Sequence, residues 1–241
     1  MRELTVIAEM CQNHLGRSDL LAKMVNAAAE SGATHCKIQG LYSDELTQRA
    51  EFERDSSPPG GLVRPFKEEF ERLSTLDLTI EGEEGFVELC IQAGVTPMIT
   101  VFSHAGVERA IRAGFKSFKV ASYDCASRAM IRRLVPAAEE LVISTGATNW
   151  QDIAETAQML TESAPADLKI ALLHARTIYP TPLEQLGLLR MAALAEFGFP
   201  IGLSDHSSPE VSELIGTKMA IFLGAQVVER HFTVLDKDAT R

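Results

Sequence analysis

The fold class this sequence predicts is α/β, a TIM-type (β/α)8 barrel, and three observations predict it. Eight short apolar runs alternate with seven longer stretches that carry apolar residues at helical spacing. Glycines close the helical stretches at Gly32, Gly94, Gly114, Gly198 and Gly224, where a left-handed cap suits a residue without a Cβ. Polar residues recur where the apolar runs end: Glu9, Lys37 with Gln39, Thr100, Lys119 with Ser122, Ser144, His174, Asp205 with His206, and His231. A barrel brings all eight ends to one mouth, whereas an open sheet would spread them along an edge.

The elements follow in order. LTVIAEM at 4–10 reads as the first strand, and the stretch 19–33 as the first helix, with Ser18 or Asp19 as its cap and Gly32 as its stop. HCKIQ at 35–39 is short enough for a buried second strand. The interval 42–80 mixes charges with Pro58-Pro59-Gly60-Gly61 and reads as an insertion at the mouth, a lid candidate holding a short helix near 66–73. Helices at 81–94, 105–114, 127–139, 151–164, 183–198 and 209–224 then alternate with strands at 96–102, 117–122, 140–146, 168–175, 199–205 and 226–232. The whole of 1–241 reads as one barrel domain. About ten residues follow the eighth strand, too few for an ordinary eighth helix, so an apolar flank is expected to stay open and to favour a homodimer.

Composition narrows the function classes. With 46% hydrophobic residues the chain can bury a substantial core. A net charge of −10 with no basic run argues against nucleic acid, although a few lysines in a pocket can still bind a small anion. Cys11, Cys36, Cys90 and Cys125 lack the spacing of a zinc knuckle or a redox pair and read as buried free thiols. Glu9 interrupts the N-terminal apolar run, and no stretch approaches a membrane span, so a cytoplasmic protein is expected.

His206 in GLSDHS and His231 in VVERHF end two separate strands and are the metal candidates. Glu9, Asp205 and Glu229 are acidic neighbours in sequence, and Glu229 reads as a ligand, a base or a core ion-pair member. Lys37 and Lys119 sit inside apolar strands, a costly place for an ammonium group unless it meets negative charge. An anionic ligand, a salt bridge to Glu9, or use as a Schiff-base nucleophile would each supply the reason. Thr100, Ser122, Ser144 and Ser204 add hydroxyls at further strand ends, and Gly146 lets backbone approach near the following helix. Gln39, Asp124, Tyr179 and Asn13 could hold a polyhydroxylated partner, while His14 reads as a brace for the first loop and His35 and His104 as structural.

AEMCQNHLG, HCKIQ, FKVAS, LVISTGAT, LLHARTIYPTP, GLSDHS and ERHFT, in this order, resemble the barrel domain of the sialic acid synthases and their nonulosonate relatives over about residues 5–234. That resemblance implies condensation of phosphoenolpyruvate with an aldehyde sugar, assisted by a divalent ion, Mn2+ or Mg2+. It aligns His206 and His231 with the metal histidines. Lys37, Thr100, Lys119, Ser122, Ser144 and Ser204 align with phosphoenolpyruvate contacts. Glu9 falls at the family's first-strand acid, and Gln39, Asp124, Thr177 and Tyr179 fall where the acceptor is held. The implied catalytic set is Glu9, Lys37, Lys119, His206 and His231.

The chain also departs from the pattern. Ser122-Tyr123-Asp124 stands where the family has Ser-Gly-Glu, and Ala175-Arg176-Thr177 where it has Cys-Thr-Asn. No Gly-Pro-Asp follows His231-Phe232-Thr233, and either a barrel that works without the C-terminal antifreeze-like domain or a fragment of a longer chain is expected. The phosphoenolpyruvate half therefore matches better than the acceptor half, so the acceptor is expected to be an unusual aldehyde sugar or a nucleoside-derived aldehyde. A ligand-binding barrel without turnover and a class I aldolase are the alternatives.

Overall fold

Eight parallel strands pair in sequence order and close on themselves: β1 (Thr5–Glu9), β2 (His35–Gly40), β3 (Thr96–Val101), β4 (Ser117–Val120), β5 (Glu140–Ser144), β6 (Lys169–Ala175), β7 (Ile201–Asp205) and β8 (Val227–His231). The computed structural model describes residues 4–54 and 63–237. Closure is made by β1 against β8, over five residue pairs from Thr5↔Val227 to Glu9↔His231. The barrel expected from the strand and helix alternation is therefore formed.

Strand periodicity of two sorts the side chains into two sets. Inward-facing Ile7, Met98, Val142, Ala171, Leu173 and Val227 make a separate apolar cluster that plugs the barrel at mid-height. Outward-facing residues such as Cys36, Ile38, Ile99, Phe118, Ile143 and Leu172 join the larger core beneath the helices. Below the plug the interior turns polar, with Thr34, His35, Ser117 and Glu140 in one hydrogen-bonded chain. Above it lies the mouth.

The surrounding helices are α1 (Ser18–Glu30), α2 (Phe66–Ser74), α3 (Ile80–Gln92), α4 (His104–Arg112), α5 (Arg128–Leu134), α6 (Trp150–Ser163), α7 (Arg190–Ala195), α8 (Pro209–Ser212) and α9 (Ile215–Phe222). Side-chain caps start three of them, from Thr79, Ser103 and Asn149. All five glycines read as helix stops have positive φ. The cap expected for α1 is corrected: Ser18 and Asp19 lie within the helix, Arg17 is its N-cap residue, and no side chain caps it. Arg17 and Asp19 pair with each other instead.

Two expected helices are not continuous. The stretch 183–198 becomes a 3-10 turn at Leu183–Gln185 and the short α7. Gly187 between them has φ 62, which interrupts the helical path. The stretch 209–224 breaks at Glu213 and Leu214, both left-handed, into α8 and α9. Apolar periodicity survives such breaks, so it does not reveal them. No helix follows β8 among the described residues, and Ile215, Met219, Phe222 and Leu223 of the α9 region are exposed.

The insertion between β2 and α3 contains 3-10 turns at Ser43–Glu45 and Ala50–Phe52 together with α2, the helix expected near 66–73. Pro58-Pro59-Gly60-Gly61 lies outside the described residues. The insertion's first end is tied to its last by Ser43 on Asp77, and to the start of α4 by Ser103, which donates to Glu45. Tyr42 adds a bond to Glu83 and stacks under Arg109, which itself pairs with Glu83. All four cysteines are buried and free, as expected. No helix among the described residues is long and apolar enough to cross a membrane.

Candidate functional site

Strand register assembles the mouth. It places Glu9 beside Lys37 and beside His231, Gln39 beside Thr100, Thr100 beside Lys119, and Ser204 beside Glu229. All are inward positions one or two steps above the apolar plug, so residues up to 222 apart in sequence become neighbours around the mouth.

Two lysines and two glutamates form the floor. Lys37 makes ion pairs with Glu9 and, at 3.0 Å, with Glu229, and it donates to Thr100 Oγ1 at 2.9 Å. Lys119 donates to Ser144 Oγ at 2.7 Å and lies 3.7 Å from Glu229. Ser204 donates to Glu229 Oε1 at 2.6 Å. Relative exposures of 2% for Lys37, 3% for Lys119, 4% for Glu9 and 5% for Glu229 put all four out of bulk water, where an unpaired charge would be costly.

Their protonation follows from that crowding. Burial pulls the Lys37 ammonium down, but Glu229 and Glu9 more than reverse it and hold the pKa above the ordinary lysine value. Lys119 has a weaker hold on Glu229 and feels Lys37 as a like charge, so burial wins and lowers it to about 8. Burial would raise the Glu229 carboxyl, yet Lys119 and Lys37 keep it well below the usual carboxylate range. The floor is thus a balanced quartet with one weakly held proton, on Lys119.

The two histidines stand at the rim with ring centroids 5.7 Å apart, edge to face. His206 Nδ1 lies 2.8 Å from the Arg176 carbonyl oxygen, which can only accept, so Nδ1 carries a proton, while Nε2 lies 3.2 Å from Ser204 Oγ. A metal-binding imidazole is commonly oriented by such a bond to a backbone carbonyl. Tyr179 stacks on His206 at 4.2 Å between centroids. This pair fits a divalent ion as two imidazole donors. No group of three or more His, Cys, Asp or Glu among the described residues is arranged as a ligand set, so substrate or water oxygens would complete the coordination.

Not every strand-end residue faces the mouth. Asp205, an expected acidic neighbour of the metal, is outward: it accepts from Ser207 and Thr217 and pairs with Arg230 on the helix side of β7 and β8. His174 is outward too, with Nε2 2.6 Å from Leu186 O. Both follow from alternation, since Ser204 and Leu173 next to them point inward. Gly146 does allow a close backbone approach: a Cβ there would meet Ala175 O at 2.6 Å. Its amide donates to Ser122 Oγ, and the amide of Asp152 at the start of α6 is taken by Asn149.

Among the acceptor candidates, Gln39, next to last in β2, faces the mouth, and Asp124 closes a 3-10 turn after β4 with its pKa raised by burial. Thr177 and Tyr179 lie on the loop after β6. His14 braces its loop by accepting from Gly16, and burial lowers its pKa to about 4. Two residues matter more than sequence reasoning gave them: Glu229, which joins both lysines, and Cys11, whose sulfur meets His231. Glu229 shares the inward parity of His231 two residues on, a readable signal. The Cys11 contact spans 220 residues and has none.

Volume alone would point elsewhere. A cavity of about 640 Å3 lies at the opposite end of the barrel, lined by Leu4, His35, Ile91, Ser117, Glu140 and Lys169 among others. Its polar wall is internally bonded, with His35 held between Thr34 and Glu140, each at 2.8 Å. The charged, inward-facing mouth is the candidate site.

The NeuB family model matches residues 24–240. The chain is 30% identical over 237 residues to N,N'-diacetyllegionaminic acid synthase of Legionella pneumophila, covering 95% of this chain and 64% of that protein. It is 29% identical to pseudaminic acid synthase of Campylobacter jejuni, over 98% of this chain and 66% of that protein. The chain thus spans about two thirds of the length of these curated relatives. A crystal structure of N-acetylneuraminic acid synthetase from Leptospira borgpetersenii superposes with a TM-score of 0.79 at 22% identity, covering 97% of this chain and 74% of that one. With the family model spanning most of its length and the same barrel beneath it, this chain belongs to the NeuB family.

Proposed function

We propose that the protein condenses phosphoenolpyruvate with an aldehyde sugar, or a sugar-like aldehyde, to give a 2-keto acid and phosphate, with a divalent ion held by His206 and His231. The observation that carries this reading is the union, in one desolvated mouth, of a lysine-hydroxyl cradle with a histidine pair. Lys37, Lys119, Thr100, Ser122, Ser144 and Ser204 offer cations and hydroxyls to a phosphate and a carboxylate. The relatives above are by name synthases of N,N'-diacetyllegionaminic acid and of pseudaminic acid, which supports the reaction class.

In this reading the new bond joins C3 of phosphoenolpyruvate to the aldehyde carbon, whose oxygen takes up a proton and becomes a hydroxyl. Water adds at C2, and the carbon–oxygen bond to phosphate then breaks, leaving the ketone. A divalent ion, Mn2+ or Mg2+, supplies Lewis acidity toward the aldehyde oxygen when bound. Lys37 and Lys119 neutralise the phosphate in the bound substrate and as it departs. Glu9, fixed by Lys37 and by the Cys11 amide, positions the water that reaches C2. Gln39, Asp124, Thr177 and Tyr179 hold the acceptor, and Arg176 adds a cation on the same side.

Phosphate release with Mn2+, phosphoenolpyruvate and a panel of aldehyde sugars and nucleoside-derived aldehydes tests the assignment. Release with one acceptor is expected. Saturable phosphoenolpyruvate binding with no phosphate from any acceptor would favour a ligand-binding barrel. A class I aldolase draws on one observation, the depressed pKa of Lys119. Borohydride with pyruvate is expected to leave Lys37 and Lys119 unmodified, and an adduct on either would overturn the proposal. The exposed apolar surface around Val211, Ile215, Phe222 and Leu223 fits a second copy of the chain, and a sedimentation coefficient that stays monomeric through the micromolar range would exclude the homodimer.

A further inference from the structure

We propose that Cys11 is a positioning residue that sets the ring plane of His231 for metal binding, an inference that rests on the reading of His206 and His231 as the metal pair. Cys11 lies two residues beyond the end of β1 with φ at 50°, in the left-handed region that side chains with a Cβ rarely adopt. Glycine would occupy that position without strain. Strain of this kind persists where the surroundings demand it and clusters at functional sites.

The sulfur shows what the Cβ supports. Cys11 Sγ lies 3.4 Å from Nδ1 and 3.6 Å from Nε2 of His231. Those nitrogens flank Cε1, so an atom nearly equidistant from both lies between the two in-plane lone-pair directions and along neither. The contact therefore fixes the tilt of the imidazole without standing where a cation would bind. Cys11 is 2% exposed, so the sulfur is held by packing.

The same residue also orders the neighbouring acid. Its amide donates to Glu9 Oε1 at 2.7 Å, and register places Glu9 directly beside His231. One left-handed residue thus ties the carboxylate ending β1 to the histidine ending β8. His206 has its own supports, the Arg176 carbonyl and the Tyr179 ring. His231 also meets the Tyr179 ring at 6.3 Å and the His206 ring edge to face, and among these contacts the thiol is the one that needs an unfavourable backbone to reach it.

Mn2+ binding to the full chain, followed by the electron paramagnetic resonance of free Mn2+ without substrates, tests this in wild type, Cys11→Gly and Cys11→Ser. Cys11→Gly relieves the backbone and keeps the amide, so its thermal midpoint is expected to hold or rise. Its Mn2+ affinity is nevertheless expected to fall about 10-fold or more, the scale of losing a group that orients a ligand. Cys11→Ser keeps the strain and loses the sulfur, and is expected to weaken Mn2+ as well. A merely structural role would move stability and leave affinity alone. Equal affinity in wild type and both variants overturns the inference while leaving the metal reading intact. No Mn2+ uptake by wild type removes both. With Co2+ in place of Mn2+, an intense near-ultraviolet sulfur-to-metal band would show ligation by Cys11 and overturn the ring-packing role.

Discussion

Phosphoenolpyruvate is expected to bind about fivefold more weakly at pH 9 than at pH 8, through one residue, Lys119. Its ammonium is buried and lowered to about 8 from the ordinary 10.5. At 1.36 kcal/mol per unit, that difference is about 3 kcal/mol of unmet demand for negative charge beside Lys119. A bound phosphate would meet it and restore the proton. About half of the sites carry the Lys119 proton at pH 8 and about a tenth at pH 9, which gives the fivefold ratio. The ligand's own phosphate is almost fully ionised across this interval, with a second pKa near 6 for phosphate esters. Lys37, raised, and Glu229, lowered, keep their charges throughout.

Calorimetric titration of phosphoenolpyruvate without acceptor, at both pH values and in buffers of different ionisation enthalpy, measures both consequences. About half a proton should be taken up per ligand at pH 8. Lys119→Met should bind weakly and lose the pH dependence. The same affinity at pH 8 and 9, with a heat independent of buffer, would refute the reasoning. The sign for the unliganded fold is the reverse of the usual lysine case. Because the folded pKa is depressed, the unfolded chain binds more protons between pH 8 and 10.5. The Lys119 penalty is therefore fully present below pH 8 and is relieved as pH rises through that window.

Two further outcomes follow from particular contacts. Glu229→Gln should cost about 3 kcal/mol at pH 7, or roughly 6–12 °C in thermal midpoint, because it leaves Lys37 and Lys119 facing each other with Glu9 alone; an unchanged midpoint in calorimetry would mean the quartet is not coupled as the distances indicate. Gly202→Ala should destabilise by about 3 kcal/mol in urea unfolding, since its Cβ would meet Val227 O at 2.1 Å, a backbone atom that moves only if β7 and β8 part. Neutral stability there would argue against the tight β7–β8 register.

Alternation and glycine punctuation carried the architecture because period and helix stops are local properties, written in consecutive residues. The same locality made Lys37, Lys119, His206 and His231 stand out, since charge or imidazole at the end of an apolar run is visible without knowing what it faces. What lies across the barrel was not visible. Asp205 and His206 are adjacent in sequence, yet strand alternation sends one to the helices and the other to the mouth. Breaks such as Glu213 and Leu214 depend on how the chain packs back on the barrel, and helical periodicity runs through them.

By itself the sequence determined the strand count, the cap glycines and the residue types able to bind an anion and a cation. Only the tertiary structure decided which of those residues meet. Register placed Glu9, Lys37, Lys119 and Glu229 in one desolvated ring, and barrel closure brought Cys11 against His231. The physical reason is that proton affinity and ring orientation belong to an environment shared by strands far apart in the chain. Two lysines that look alike in apolar runs therefore end with pKa values displaced in opposite directions.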